Sequence, residues 1–145
     1  MSQEEHNKAI ARRFYEEIWN QANLAAVDEL CEPDYVVVDL PPWRKPGAEG
    51  LKAFVADNRR MFPDVRTTIH HLMAEGDEVV VEFSATATHK GDLRGPVGLV
   101  PATNKPVTWK GITIFKIKNG KIVQSRGLVD NLSLMQQLGA VPQSQ

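Results

Sequence analysis

Three residues of the sequence have side chains that could transfer protons in a pocket: Asp39, Asp130 and His89. Asp39 ends a valine-rich segment and precedes a loop that contains Trp43. A carboxylate held among apolar walls keeps its proton to higher pH than in water, so Asp39 is a candidate general base. The alternative is an aspartate that organises the Pro-Pro turn directly after it.

The other two candidates lie at the ends of predicted elements. Asp130 precedes the segment LSLMQQL, where it either caps a helix or supplies an acid to the pocket. His89 continues an alternation of apolar residues along a strand, which predicts a position at the pocket mouth.

Metal-binding and cofactor-binding motifs are missing from the sequence. His70 and His71 are adjacent, and neighbouring strand residues point to opposite faces of a sheet, so we predict that they cannot share a metal ion. Cys31 is the only cysteine, which excludes an intrachain disulfide and a cysteine-based zinc site. No Ser-His-Asp signal, phosphate-binding loop or dinucleotide fingerprint is recognisable. We therefore expect no metal and no cofactor.

Composition narrows the possible partners. The chain has 145 residues, and its 17 basic and 18 acidic residues give a net charge of −1. A near-neutral chain without a basic patch is not expected to bind nucleic acid or an anionic membrane. The charged N-terminus and the absence of 18 consecutive apolar residues predict a cytoplasmic protein with no membrane span. Without a repeat or a linker, residues 1–145 are expected to form one domain.

Helices are predicted in the N-terminal half of the chain and strands in the remainder. Ile10, Phe14 and Ile18 recur at helical spacing in the first helix, and the hairpin turns EGD and KNG join apolar strands. Helices followed by hairpin-linked strands indicate an α+β fold, in which a curved antiparallel sheet and three helices form a cone around an apolar pocket. The predicted helices are 3–21, 23–31 and 49–62, with a short one after Asp130, and the predicted strands are 35–40, 65–74, 78–89, 107–117 and 121–129.

Strand alternation assigns the two faces of this sheet. Ile112 and Ile114, flanked by Lys110 and Lys116, are predicted to face outward and to form the contact of a homodimer. The opposite face, with residues of the adjoining loop, is predicted to line a site for a small apolar ligand or substrate: Tyr35, Trp43, Phe83, Trp109, Thr113, Phe115, Ser125 and Gly127.

Five sequence motifs, which together span nearly the whole chain, carry a resemblance to a known family. They are PDYVVVD after two helices, GLKAFV opening the third, TATHKGDL closing a strand, WKGITIFKIKNGKIV, and VDNLSLMQQLG. In this order they resemble the SnoaL-like polyketide cyclase family, which shares the cone-shaped fold of nuclear transport factor 2 and ketosteroid isomerase.

The resemblance implies an intramolecular aldol ring closure without metal or organic cofactor. It also implies an aspartate on the last strand as acid/base and an enolate stabilised in an apolar pocket. The sequence departs from this pattern at three positions. Gly127 takes the place of the aspartate, Thr113 takes the place of a histidine or aspartate, and Val38 lies near the place of another histidine.

Three functional hypotheses follow. The leading one is a cofactor-independent enzyme that acts on a small or medium apolar carbonyl compound by acid/base catalysis. Its chemistry would be cyclase-like aldol or proton transfer, with Asp39 or Asp130 as base. The loss of the usual polar residues supports a non-catalytic binder of a small apolar ligand instead. A scaffold repurposed or engineered for another reaction in the same pocket would show the same departures.

Overall fold

The computed structural model describes residues 1–95 and 97–142 of the chain. Within them, four α-helices and one π-helical segment accompany seven strands. The helices are α1 (Gln3–Arg13), α2 (Ala25–Leu30), α3 (Gly47–Met61) and α4 (Asn131–Gln137), with the π-helical segment Phe14–Trp19 directly after α1. The strands are β1 (Cys31–Val37), β2 (Arg66–Glu75), β3 (Glu78–Thr88), β4 (Leu93–Gly95), β5 (Gly98–Val100), β6 (Pro106–Lys118) and β7 (Lys121–Val129).

The first helix starts at a side-chain cap and widens at its end. The Ser2 hydroxyl accepts a hydrogen bond from the backbone N–H of Glu5 at 3.1 Å, which satisfies one of the free donors at the helix start. The sequence predicts one regular helix as far as residue 21, but the last part is π-helical and ends at Trp19. This wider turn buries the neighbours Phe14 and Tyr15 together, and Tyr15 thereby reaches the sheet.

The main sheet has the strand order β1-β7-β6-β3-β2, and the α+β class is as predicted. One pairing departs from the antiparallel prediction, because β1 runs parallel to β7, with Val37 opposite Ser125. The sheet is therefore mixed. Because β1 is an edge strand, it tolerates Pro33, a residue that cannot donate to a strand ladder.

A bulge in β2 corrects the prediction for the two adjacent histidines. The register shifts between Ile69 and His71, so the alternation of side chains is interrupted there. His70 Nε2 lies 2.7 Å from the Ser84 hydroxyl, and His71 Nδ1 lies 2.7 Å from a carboxylate oxygen of Glu82. Ser84 and Glu82 lie two residues apart on β3 and share one face, so both histidines point to the outer face of the sheet rather than to opposite faces.

Side-chain amides complete two strand edges. The amide of Asn20 donates to the carbonyl of Thr67 at 3.0 Å and accepts from the N–H of Thr67 at 2.7 Å, on the edge strand β2. Gln137 pairs in the same way with the backbone of Thr108 on β6, at 2.7 and 2.9 Å. Each amide replaces the missing neighbouring strand for one residue.

The helices cover one face of the sheet, here called the inner face, incompletely. Phe115 of β6 and Ile122 of β7 are fully buried beneath α1 and α2, in a core that also contains Phe14, Ile18 and Leu30. A second core joins the end of α3 to α4 and contains Phe62, Ala85, Val107, Leu134 and Leu138. Among the described residues, no helix is long and apolar enough to cross a membrane.

Candidate functional site

The inner face is open between these two cores, around Gly127. Thr113 and Ser125 are half-buried, Gly127 is exposed, and Val129 is 40% exposed. Gly127 pairs with Thr113 across β6 and β7, and Phe115 pairs with Ser125, so Thr113 and Ser125 are diagonal neighbours on the same face. A Cβ atom at Gly127 would lie 3.3 Å from the Thr113 Oγ1, so the absent side chain leaves space beside that hydroxyl. We call this region, Thr113, Ser125 and Gly127, the open site.

A tyrosine from the helical layer approaches the open site from one side. The Tyr15 hydroxyl donates to Thr113 Oγ1 at 2.9 Å, and the Tyr15 ring packs against Phe83 with 5.0 Å between ring centres. Burial raises the pKa of Tyr15, so the phenol keeps its proton at neutral pH. Because Thr113 Oγ1 accepts this bond, the threonine's own proton is free for another acceptor.

A second tyrosine approaches from β1. Tyr35 is buried and hydrogen-bonds with the side chains of Ser125 and Arg44. Burial raises the pKa of Tyr35 to about 12, despite the opposing effects of Arg44 and Ser125. A guanidinium group only donates, so the Tyr35 oxygen accepts from Arg44. Both tyrosines thus hold a hydroxyl-bearing residue of the open site.

Arg44 and α3 contribute further polar groups. The Arg44 guanidinium carbon lies 3.9 Å from the centre of the Phe54 ring, a cation–π contact. Asn58 follows Phe54 by one helical turn and therefore lies on the same side of α3. The Oδ1 atom of Asn58 and the Nε atom of Arg44 are buried and have no hydrogen-bond partner among the described residues. Buried polar atoms without partners are rare in native structures, and a bound ligand or water can supply the missing partner.

The predicted pocket-lining residues divide into three groups. Tyr35, Thr113, Ser125 and Gly127 come together at the open site, with Phe83 and Phe115 packed behind them in the core. Trp109 is half-buried, and its ring lies 5.0 Å from Phe62 at the end of α3. Trp43 departs from the expected lining because it is 72% exposed. Its ring centre lies 6.4 Å from that of Phe54.

Asp39 lies at the same end of the sheet as Gly127 but is exposed. The Val38 N–H donates to the carbonyl of Ser125 at 2.9 Å, and the next residue, Asp39, adopts a left-handed conformation with φ of 58°. The apolar surroundings predicted for Asp39 are absent from this conformation, since its side chain faces solvent. Its local role is that of a turn residue, in agreement with the alternative interpretation.

Asp130 is a helix cap in the structure. Its Oδ1 accepts from the N–H of Ser133 at 3.0 Å at the start of α4. Asp130 also lines a cleft of about 330 Å³ with Ser84 and Lys110, which belong to the outer, solvent-facing set of β3 and β6. It is therefore not brought to the open site.

His89 is fully buried rather than placed at a pocket mouth. Its Nδ1 accepts from the N–H of Thr103 at 3.2 Å and lies 2.9 Å from the Thr103 hydroxyl, so the neutral ring carries its proton on Nε2. Burial lowers the pKa of His89, although the Gly91 backbone and the Asp92 carboxylate favour the charged form. The prediction failed because the strand ends at Thr88 and the segment with Thr103 and Lys105 hydrogen-bonds to His89.

Two residues of the site were not identified from the sequence as functional. Arg44 stands in a proline-rich loop, and Asn58 interrupts the apolar face of α3. A polar residue at an apolar helical position was the signal that could have identified Asn58. Arg44 has no comparable signal, since loop arginines are usually solvated. Among the described residues, no group of three His, Cys, Asp or Glu side chains could hold a metal ion.

Comparison with known proteins gives the family. The model of the SnoaL-like polyketide cyclase family matches residues 9–138. The chain belongs to this family. No curated protein matches the sequence.

Solved structures agree with this assignment. A candidate polyketide cyclase from Acidithiobacillus ferrooxidans is 33% identical, with a TM-score of 0.81 over 96% of this chain and 98% of that one. Another from Bacillus cereus is 30% identical, with a TM-score of 0.81 over 97% and 87%. TsrD from Streptomyces laurentii has the same fold, with 24% identity and a TM-score of 0.85 over 97% and 99%. The SnoaL-like fold predicted from the sequence motifs is thus confirmed, and the family supports a cyclase-like role in general terms.

Proposed function

We propose that this SnoaL-like protein binds a small or medium apolar carbonyl compound at the open site and catalyses its enolisation as a step of cyclase-like chemistry. The observation that carries the proposal is the pair of tyrosine-supported hydroxyl groups beside Gly127. Thr113 receives the proton of Tyr15 at 2.9 Å, and Ser125 is held by Tyr35. Two diagonal hydroxyl groups that face the same open space suit an oxygen on which negative charge develops, because a hydroxyl group can donate a hydrogen bond to it.

The tyrosines fix these donors in advance. Because both phenols stay protonated at neutral pH, Thr113 and Ser125 do not have to supply protons to them. Donors oriented before reaction stabilise a developing enolate without the cost of reorganisation, typically by about 2.7–4 kcal/mol for each donor. Gly127, which lacks a side chain, leaves room for the substrate carbonyl next to both.

Asp39 is the proposed base. The strands β1 and β7 are parallel, with Val37 opposite Ser125, and Asp39 and Gly127 each lie two residues further along. Asp39 is thus the carboxylate nearest in register to the position where the family pattern would have an aspartate. A bound apolar substrate would exclude water from the side chain of this residue.

A non-catalytic binder is the second candidate. One observation favours it. Among the described residues, no carboxyl group is fully buried, and His89, the one fully buried imidazole, is already hydrogen-bonded to Thr103. In that case the hydroxyl groups of Thr113 and Ser125 would bind a ligand carbonyl, and no proton would be removed from the ligand. The two functions differ in whether the ligand exchanges its α-protons.

Proton exchange of 2-tetralone, an apolar ketone, tests the proposal. We expect the protein to accelerate α-deuterium exchange in D₂O, measured by NMR. Asp39→Asn should lower the rate roughly 10²–10⁴-fold, because the variant keeps its size but cannot accept the proton. Asp34→Asn changes another exposed aspartate, on β1, and should have no effect.

Other outcomes distinguish the candidates. Binding of 2-tetralone without exchange above the buffer rate would replace the enzyme by the binder. An unchanged rate in Asp39→Asn would exclude Asp39 as the base, and Thr113→Val and Ser125→Ala would then test the hydroxyl pair independently.

We also propose that the chain forms a homodimer with a second copy through the outer face of the sheet. The proposal is supported by exposed apolar residues at the centre of that face, Ile112 and Leu128, which are opposite each other on β6 and β7.

A further inference from the structure

Arg44 is a half-buried cation that forms no ion pair with any described residue. Its backbone N–H donates to the carbonyl of Pro41 at 3.0 Å, which fixes the loop, and its guanidinium lies over the Phe54 ring. The side chain hydrogen-bonds to the neutral hydroxyl of Tyr35. No ion pair in residues 1–95 and 97–142 includes Arg44.

Other half-buried cations of the chain have acceptors. Lys52 lies 2.8 Å from Asp28 and 3.1 Å from Glu49, and Arg59 donates to the carbonyls of Trp19 and Asn20 at 2.9 and 2.7 Å. Among the described residues, Arg44 has neither kind of acceptor. The Nε atoms of Arg44 and Arg59 are both buried without a partner there, so the two arginines differ in the acceptors of their terminal nitrogens. Removing a cation from water without an anion or a carbonyl is unfavourable, so such a group calls for an acceptor that is not part of the chain.

The shape of the site defines the acceptor. The guanidinium presents parallel N–H donors in a plane, a geometry that matches a carboxylate or a conjugated enolate. Phe54 covers one face of the guanidinium, and the hydroxyl of Tyr35 links Arg44 to Ser125 of the open site. An anionic oxygen bound by Arg44 would therefore belong to the same ligand as the carbonyl at the open site.

We propose that Arg44 binds an anionic oxygen of the ligand, so that the preferred ligands are planar apolar compounds that carry a carboxylate or a similarly conjugated anionic oxygen. This inference rests on the proposed function for the location of the site but not on catalysis. It makes Arg44 the residue that determines specificity for charge. A neutral ligand of the same shape binds more weakly, because it leaves the guanidinium without a counter-charge.

Calorimetric titration with two matched probes tests the inference. The probes are 2-naphthoate and its neutral analogue 2-naphthamide, titrated into the full chain at pH 7. We expect the wild type to bind the naphthoate roughly 10–100-fold more tightly, as for a charge-assisted hydrogen bond. Added salt should weaken binding of the naphthoate and leave that of the amide nearly unchanged.

Three variants separate charge recognition from folding. Arg44→Met should abolish the preference, while Arg44→Lys should retain it at reduced strength, because lysine keeps the charge but loses the planar fork. Arg66→Met removes an exposed arginine on β2 and should change neither affinity. Circular dichroism checks that each variant is folded, and Arg44→Lys gives the answer if Arg44→Met is not.

Several results would overturn the inference: equal affinity of the wild type for both probes, no binding of either at millimolar concentration, or a preference that survives in Arg44→Met. Because binding is the readout, these outcomes are independent of whether Asp39 acts as a base. If the wild type prefers the naphthoate but does not accelerate proton exchange of 2-tetralone, only the proposed chemistry is contradicted.

Discussion

Gly127 and Thr113 illustrate how single residues change what this fold can do. A base on β7 would need a side chain at Gly127, and the Cβ of such a residue would approach Thr113 Oγ1 to 3.3 Å. With glycine there, the Tyr15–Thr113 hydrogen bond forms unhindered and the hydroxyl faces open space. Relative to the pattern that the family resemblance implies, glycine at position 127 brings no carboxylate, and the Thr113 hydroxyl faces the space beside it.

His89 leads to a prediction about pH at the same scale. Its pKa is lowered by burial in the folded chain, whereas in the unfolded chain it has the ordinary value of 6.5. Below pH 6.5 the unfolded chain takes up a proton that the folded chain resists, so stability falls as the pH decreases from 7.5 to 5.5. The contribution is at most about 1.4 kcal/mol per pH unit.

Urea unfolding at several pH values measures this effect. In His89→Gln the slope of the free energy of unfolding against pH should be smaller between pH 7.5 and 5.5. His6→Gln removes an exposed histidine on α1 and should leave the slope as in the wild type. A wild-type slope in His89→Gln would mean that His89 titrates equally in both states.

The two edge amides lead to a prediction at the scale of elements. In Asn20→Ala, the N–H and carbonyl of Thr67 on β2 lose both partners, which lie at 2.7 and 3.0 Å. We expect the free energy of unfolding to fall by about 1–3 kcal/mol, measured by urea denaturation. Gln21→Ala, one residue further on and exposed, should change it by less than about 0.5 kcal/mol. A loss in Asn20→Ala as small as the one expected for Gln21→Ala would show that water replaces the Asn20 pair at no cost.

Elements were predictable from the sequence where one local pattern determines them. The strands β3, β6 and β7 lie within one residue of their predicted bounds, because alternation and the Asn119-Gly120 turn act over short distances. The bulge at His70 and the parallel pairing of β1 depend on contacts between distant segments and leave no local signal. The site follows the same rule: Thr113 and Ser125 were predicted from alternation, whereas Arg44 requires knowledge of how its loop packs on Phe54.

At the scale of the whole molecule, the two faces of the sheet differ in how much of their apolar surface is buried. The inner face is divided between two apolar cores with the open site between them. The described helices pack into these two cores, whereas the outer face carries Ile112 and Leu128, which are 48% and 82% exposed. An uncovered apolar pair at the centre of a sheet is typical of a contact with another protein, and a twofold axis lets one face serve both partners.

Size-exclusion chromatography with light scattering tests the resulting dimer. We expect the wild type at tens of micromolar to have twice the 16.2 kDa mass of one chain. Ile112→Lys should shift the mass to that of a monomer, because the dimer contact would bury two lysines. In the monomer the new side chain can pair with Glu82 on the neighbouring strand. Leu132→Lys, an exposed leucine on α4, should remain dimeric. A monomeric wild type, or a dimer that persists in Ile112→Lys and in Leu128→Lys, would contradict association through this face.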